Sequence, residues 1–201
     1  MSLRNPMGDF EITDPQAMRA LAHPVRLAIL NRLQRHGPGT ATKLAPYVDA
    51  SPSVTSWHLR HLARFGLVTE YDGGSDKRLR WWQAHAKGFR FEMPDDLEGQ
   101  AAARLLRGQL LRAAVEQVAA WSRDVEPRLD SDWDKVVGIA NTGVEVTREE
   151  AGEIQAQVER MLAPYVERRD GGTVPTGARA VRFLRFTLPA AVERADATAH
   201  E

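Results

Sequence analysis

There is no cysteine among the 201 residues. That excludes disulfides, thiolate zinc sites and a cysteine nucleophile. Long apolar runs are missing as well, and none approaches the roughly 18 residues that a membrane span needs. The opening stretch, MSLRNPMGDFEITD, lacks the apolar segment of a signal peptide. The expectation is a soluble, cytoplasmic protein with no membrane partner. Also lacking are a glycine-rich nucleotide loop, a nucleophile–base pair and paired carboxylates on a rigid scaffold, so neither enzymatic activity nor a cofactor is expected.

Net charge is absent only on the sum, with 27 Lys+Arg against 27 Asp+Glu. Residues 1–90 hold 13 basic and 7 acidic side chains, and residues 91–201 hold 14 and 20. A basic half is suited to polyanions, and an acidic half is not. With 43 % apolar residues, the chain has enough material for a core in one large or two small domains.

Within the basic half, Asp14-Pro15 reads as an N-cap followed by proline at the first helical position, opening a helix through Ala22. His23-Pro24 breaks it and starts a second, carrying Val25, Leu27, Ile29, Leu30 and Leu33 to a stop at Gly37. Thr40 caps a short third helix with Leu44, Ala45 and Val48. The turn Val48-Asp49-Ala50-Ser51 then leads into an amphipathic segment, which is helix-turn-helix spacing. Asp49 stands in for the usual glycine, since aspartate tolerates a left-handed backbone better than most residues. In that segment Thr55, Leu59, Leu62 and Phe65 form an inward stripe, and Gly66 ends the helix. Ser53, Ser56, Trp57, Arg60 and Arg64 fall on the other face. Residues 67–71 and 78–82 read as two strands around a glycine-rich tip, with Lys77, Arg78 and Arg80 at the start of the returning arm.

Three motifs in this order, ALAHPVRLAIL, SWHLRHLARFGLV and DKRLRWW, closely resemble the ArsR-type winged-helix transcriptional regulators, in particular their cysteine-free group with a Ser-aromatic-His-Leu-Arg core in the recognition helix. The resemblance covers about residues 12–86. It implies a DNA-binding repressor or activator, normally dimeric, with a recognition helix over about 52–65 and a wing over about 69–82.

A helix entering the major groove needs donors on one face and core anchors on the other. Arg60 is the candidate base reader, because a guanidinium bonds both acceptors of guanine. Ser53 and Ser56 sit near the helix N-terminus, within reach of phosphates or base edges, and Arg64 lies further along, toward the backbone. Lys77, Arg78 and Arg80 are placed to grip phosphate or enter the adjacent minor groove. The bland alternative for the arginines is a solvated helix surface. For Trp57 two roles stay open, contact with thymine methyls or sugars and packing against the wing. Trp81 and Trp82 adjoin on a strand, so one belongs to the core and the other covers the hairpin or a partner. His58 and His61 invite a metal, but a zinc site needs three or four ligands and no further Cys or His is at hand in sequence. They read instead as packing residues at the helix-turn-helix junction and its margin, and His23 reads as a helix-junction residue.

The acidic half opens with a linker at 91–96 and a helix over Gly99–Asp124, with Leu106, Leu110, Val115, Val118, Trp121 and Val125 in a stripe that Leu105 and Leu111 widen. Such a helix calls for a partner helix, within the chain or across a dimer. Residues 135–146 and 180–188 read as strands flanking a helix from the capping box Thr147-Arg148-Glu149-Glu150 to about Arg168. That order suggests a parallel crossover. A mobile loop is expected over 169–177 and a disordered tail after Pro189.

The fold class expected is therefore mainly α with a small β component: a winged helix-turn-helix DNA-binding domain over 1–90, then a long helix and a small strand–helix–strand region over 91–201. The second part would dimerise the chain and offers room for a small-molecule effector. The functional expectation is a dimeric, sequence-specific regulator of double-stranded DNA, most simply a repressor. The competing reading is a winged-helix protein-interaction module with an incidental basic face.

Overall fold

The computed structural model describes residues 7–74, 76, 78–168 and 174–190. Lys77, residues 169–173 of the expected mobile loop, and the tail from 191 lie outside the described residues.

Helix α1 (Pro15–Leu21) begins at the Asp14 cap, whose Oδ1 accepts from the Gln16 amide at 2.8 Å. Helix α2 (Pro24–His36) stops at Gly37, where φ is +76°. Thr40 caps α3 (Ala41–Leu44) by accepting from the Lys43 amide at 3.2 Å, and a 3₁₀ turn follows at Ala45–Tyr47. Among the described residues only Asp49 combines a side chain with positive φ, at +48°, so the backbone turns where the sequence placed it. Helix α4 (Pro52–Ala63) starts at Ser51, whose Oγ accepts from the Val54 amide at 3.3 Å. It closes through Gly66, with the Gly66 amide on the Ala63 carbonyl and the Leu67 amide on that of Leu62. This paired bonding pattern needs a left-handed residue, and Gly66 supplies it at φ +68°.

The β structure is small. β1 (Phe10–Glu11) pairs in parallel with β5 (Phe89–Arg90), and β2 (Gly39–Thr40), β3 (Val68–Glu70) and β4 (Trp81–Ala84) form an antiparallel sheet in the order β2-β4-β3. The returning strand begins at Trp81 rather than at 78. Register explains the shift: Glu70 pairs with Trp82 and Thr40 with Trp81, and the Leu79 amide turns back onto the Asp76 carbonyl. Arg78 and Arg80 therefore precede the ladder, on the tip of the hairpin. Trp82 is the core tryptophan, while Trp81 covers the hairpin, its Nε1 donating to the Asp76 carbonyl at 3.2 Å.

One contiguous core joins Leu21, Leu27, Ile29, Leu30, Leu59, Leu62, Val68 and Trp82. Each such side chain removed from water contributes roughly 1.5–3 kcal/mol before entropy is counted. The long helix α5 (Leu97–Asp124) starts at Asp96, which accepts from the Gly99 amide at 2.8 Å. Its first half enters the same core through Ala102, Ala103 and Leu106, running along α1. Phe91 and Met93, read as linker, pack against that core. The second half of α5 extends beyond it and leaves Leu111 and Val115 exposed.

A short helix α6 (Ser131–Asp134) and helix α7 (Arg148–Arg168) follow. The capping box of α7 closes as expected: the Glu150 amide donates to Thr147 Oγ1 at 3.1 Å and the Thr147 amide to Glu150 Oε2 at 2.7 Å. The two flanking strands are not found, and the expected strand–helix–strand region is corrected to a single helix between irregular segments. Residues 135–146 and 180–188 have no ladder partner and are exposed nearly throughout. Apolar, β-branched and aromatic residues give a segment strand propensity. A strand also needs a neighbouring edge, which the described part of the chain does not offer them.

Candidate nucleic-acid interface

Helix α4 is two-faced in the way a reading helix requires. Thr55, Leu59 and Leu62 are fully buried, and the Thr55 hydroxyl donates to the Ser51 carbonyl at 2.9 Å. On the opposite side Ser53, Trp57, Arg60 and Arg64 are exposed, with Ser56 half-buried. The structure thus gathers the five predicted helix residues on one solvent-facing surface. Ser53 Oγ lies 3.1 Å from the capping Ser51 Oγ. Arg60 Nη1 donates to Ser56 Oγ at 3.1 Å, one turn back, so the serine holds the guanidinium against its own helix. Arg64 is at the helix C-terminus.

Trp57 is 52 % exposed. It stacks on His61 with ring centroids 5.5 Å apart and meets the edge of His58 at 4.9 Å. The indole is thus seated on the histidines of its own helix. Beneath it, His58 is buried at the junction with α2, its ring 4.9 Å from that of His23. The Nδ1 atoms of both rings are buried without a hydrogen-bond partner. Burial lowers the pKa of each. For His58 the neighbouring His23, Arg26 and His61 lower it further, and for His23 so do Arg26 and His61. His61 is lowered by burial, then by Arg26 and Arg64. Uncharged rings suit this junction, and they match the packing role expected from sequence. No cluster of three or more His, Cys, Asp or Glu able to hold a metal occurs among the described residues.

The wing is less purely basic than its sequence implies. Arg78 is exposed, and its backbone amide is held by Asp76 Oδ1 at 2.9 Å. Arg80 lies 3.3 Å from Glu70 and 5.9 Å over the Trp82 ring, so a carboxylate already competes for it. Arg78 is the better placed of the two for a phosphate. A cation that sequence reasoning missed is Lys43 on α3, exposed and 4.4 Å over the Trp81 ring. The signal was present, because the first helix of such a motif crosses the nucleic-acid backbone and Lys43 is the basic residue on it.

A two-faced α4 preceded by a capped short helix and followed by the β3–β4 hairpin, with β2 on the far edge of β4, defines a winged helix-turn-helix. Residues 21–71 match the family model described as a helix-turn-helix domain. Similar solved structures include one described as a possible transcriptional regulator for arsenical resistance, 29 % identical over 52 % of this chain and 93 % of that one, with a TM-score of 0.30. A transcriptional regulator homologue from Pyrococcus horikoshii is 23 % identical over 51 % and 93 %, with a TM-score of 0.31. The ZitR protein of Lactococcus lactis is 14 % identical over 70 % and 83 %, with a TM-score of 0.32. No curated protein sequence matches the chain. No helix among the described residues is long and apolar enough to cross a membrane.

Proposed function

We propose that the protein is a sequence-specific regulator of double-stranded DNA that works as a homodimer, most simply as a repressor. The observation that carries this reading is the outer face of α4, where Ser53, Ser56, Trp57, Arg60 and Arg64 lie together over a fully buried inner face. Helix α4 would lie in the major groove, with Arg60 reading guanine and the two serines bonding base edges or phosphate. Arg78, Arg80 and Lys77 of the wing, with Lys43 of α3, would hold the adjacent backbone or minor groove. The homodimer part of the reading rests on each helix covering only a half-site and on the exposed apolar side chains of distal α5, which supply a contact surface. Repression then needs only occupancy of a promoter. No catalytic chemistry is part of this reading.

The test is fluorescence-anisotropy titration of the full chain against labelled genomic fragments at several salt concentrations. The expected result is tight binding to a subset of fragments, weakening steeply as salt rises. Equal, weak binding to all fragments, or none, would leave the domain a protein-interaction module.

A further inference from the structure

Residues 180–188, AVRFLRFTL, form an arm that crosses the distal part of the molecule with no strand partner. Side chains fasten it: Arg179 to Asp130 at the start of α6, Arg182 Nη1 to Gln117 Oε1 of α5 at 3.1 Å, and Thr187 to Gln155 of α7. Its apolar side chains face water, with Phe183 66 % and Leu188 83 % exposed. Gln117 lies on the half of α5 that also exposes Leu111 and Val115, so the arm borders the surface assigned above to a second copy.

We propose that the arms of two copies pair as antiparallel strands centred on Leu184, a contact that rests on the homodimer reading. In that register Phe183 stands opposite Arg185, Arg182 opposite Phe186, Val181 opposite Thr187 and Ala180 opposite Leu188. Both arginines of each arm then face an aromatic ring across the strands, an arrangement favourable for cation–π contact and cross-strand packing. No other antiparallel register does this for both. A shift of one position sets Arg182 against Arg185, and centring on Arg185 sets that residue against itself, placing like charges in contact. In this ladder Leu184, 36 % exposed in the single chain, stands against its own copy.

The cysteine-free chain permits a direct test. Facing residues of an antiparallel pair have Cα atoms about 4.5–5.5 Å apart, within the span a disulfide bridges. Leu184→Cys in the full-length protein is expected to oxidise to a covalent dimer on a non-reducing gel. Val181→Cys and Leu188→Cys, whose copies would lie about 20 and 27 Å apart along the ladder, should stay uncross-linked. Mixed Ala180→Cys and Leu188→Cys chains should form a heterodimer only. Sedimentation of the same samples separates the two levels of the argument. A dimer in which Leu184→Cys does not cross-link, or in which all positions cross-link alike, overturns the arm pairing and leaves the homodimer standing. A monomer removes both.

Discussion

Arg60 carries the clearest consequence at the scale of single residues. Its guanidinium is exposed, held by Ser56, and lies centrally on the outer face of α4. Arg60→Ala should cost about 1–3 kcal/mol at the cognate site and relax the preference there, read by anisotropy against cognate and scrambled duplexes. Arg78, at the wing tip, should behave differently. Arg78→Ala is expected to weaken all duplexes alike and to reduce the slope of log affinity against log salt by about one. A loss confined to one sequence would contradict a phosphate role. The histidines act on stability instead. His23, His58 and His61 have pKa values lowered by burial and neighbouring cations, so below about pH 6.5 the unfolded chain takes up protons that the folded chain resists. The stability they contribute is whole above that pH and is lost as pH falls through the lower folded values. The thermal midpoint should therefore drop between about pH 7.5 and pH 5.5, with a shallower slope in His58→Phe. An unchanged slope would place the protons elsewhere.

At the scale of elements, the turn between α3 and α4 rests on Asp49 at φ +48°. A left-handed residue with a side chain costs about 1–2 kcal/mol, and aspartate is among the residues that lower this cost. Asp49→Gly should leave the urea midpoint nearly unchanged, whereas Asp49→Val should lose about 1–2 kcal/mol and weaken DNA binding through a displaced α4. This turn was legible in sequence because local chemistry determines it, as it does the Asp14, Thr40 and Thr147 caps and the Gly66 stop. The outer face of α4 was legible for the same reason, its inner stripe having a helical period. Other elements were not. β1 and β5 have two residues each, too few for any periodicity, and their parallel pairing depends on the N-terminal segment returning across the chain. The wing strand was misplaced because three basic residues before Trp81 continue the alternation, while the register is set by β2, a strand invisible in sequence. Residues 135–146 and 180–188 failed in the opposite way: the strand-forming residue types were there, but the partner edge was not. The seat of Trp57 on His61 follows from their spacing of four on one helix, while the contact of His58 with His23 depends on how α2 and α4 pack.

Across the whole molecule, charge and shape agree on an orientation. The basic excess lies in residues 1–90, which hold α4 and the wing, and the acidic excess lies after residue 90, so a polyanion is drawn to the first part of the chain and repelled by the second. On distal α5, Leu111 and Val115 are 52 % and 59 % exposed, and the homodimer reading places the second copy there. Two reading helices must meet half-sites about 34 Å apart, and α5, 28 residues long or about 42 Å, has the length to set that spacing. Leu111→Asp combined with Val115→Asp should therefore yield a monomer by analytical ultracentrifugation. Its far-UV circular dichroism should remain helical, because neither side chain belongs to the core of the single chain. Affinity for a full two-half-site operator should fall on the order of 100-fold or more as the second contact ceases to be intramolecular, while affinity for an isolated half-site should stay the same. A double variant that still sediments as a dimer would move the interface off distal α5, and equal losses on both duplexes would mean that the substitutions had damaged the reading domain itself.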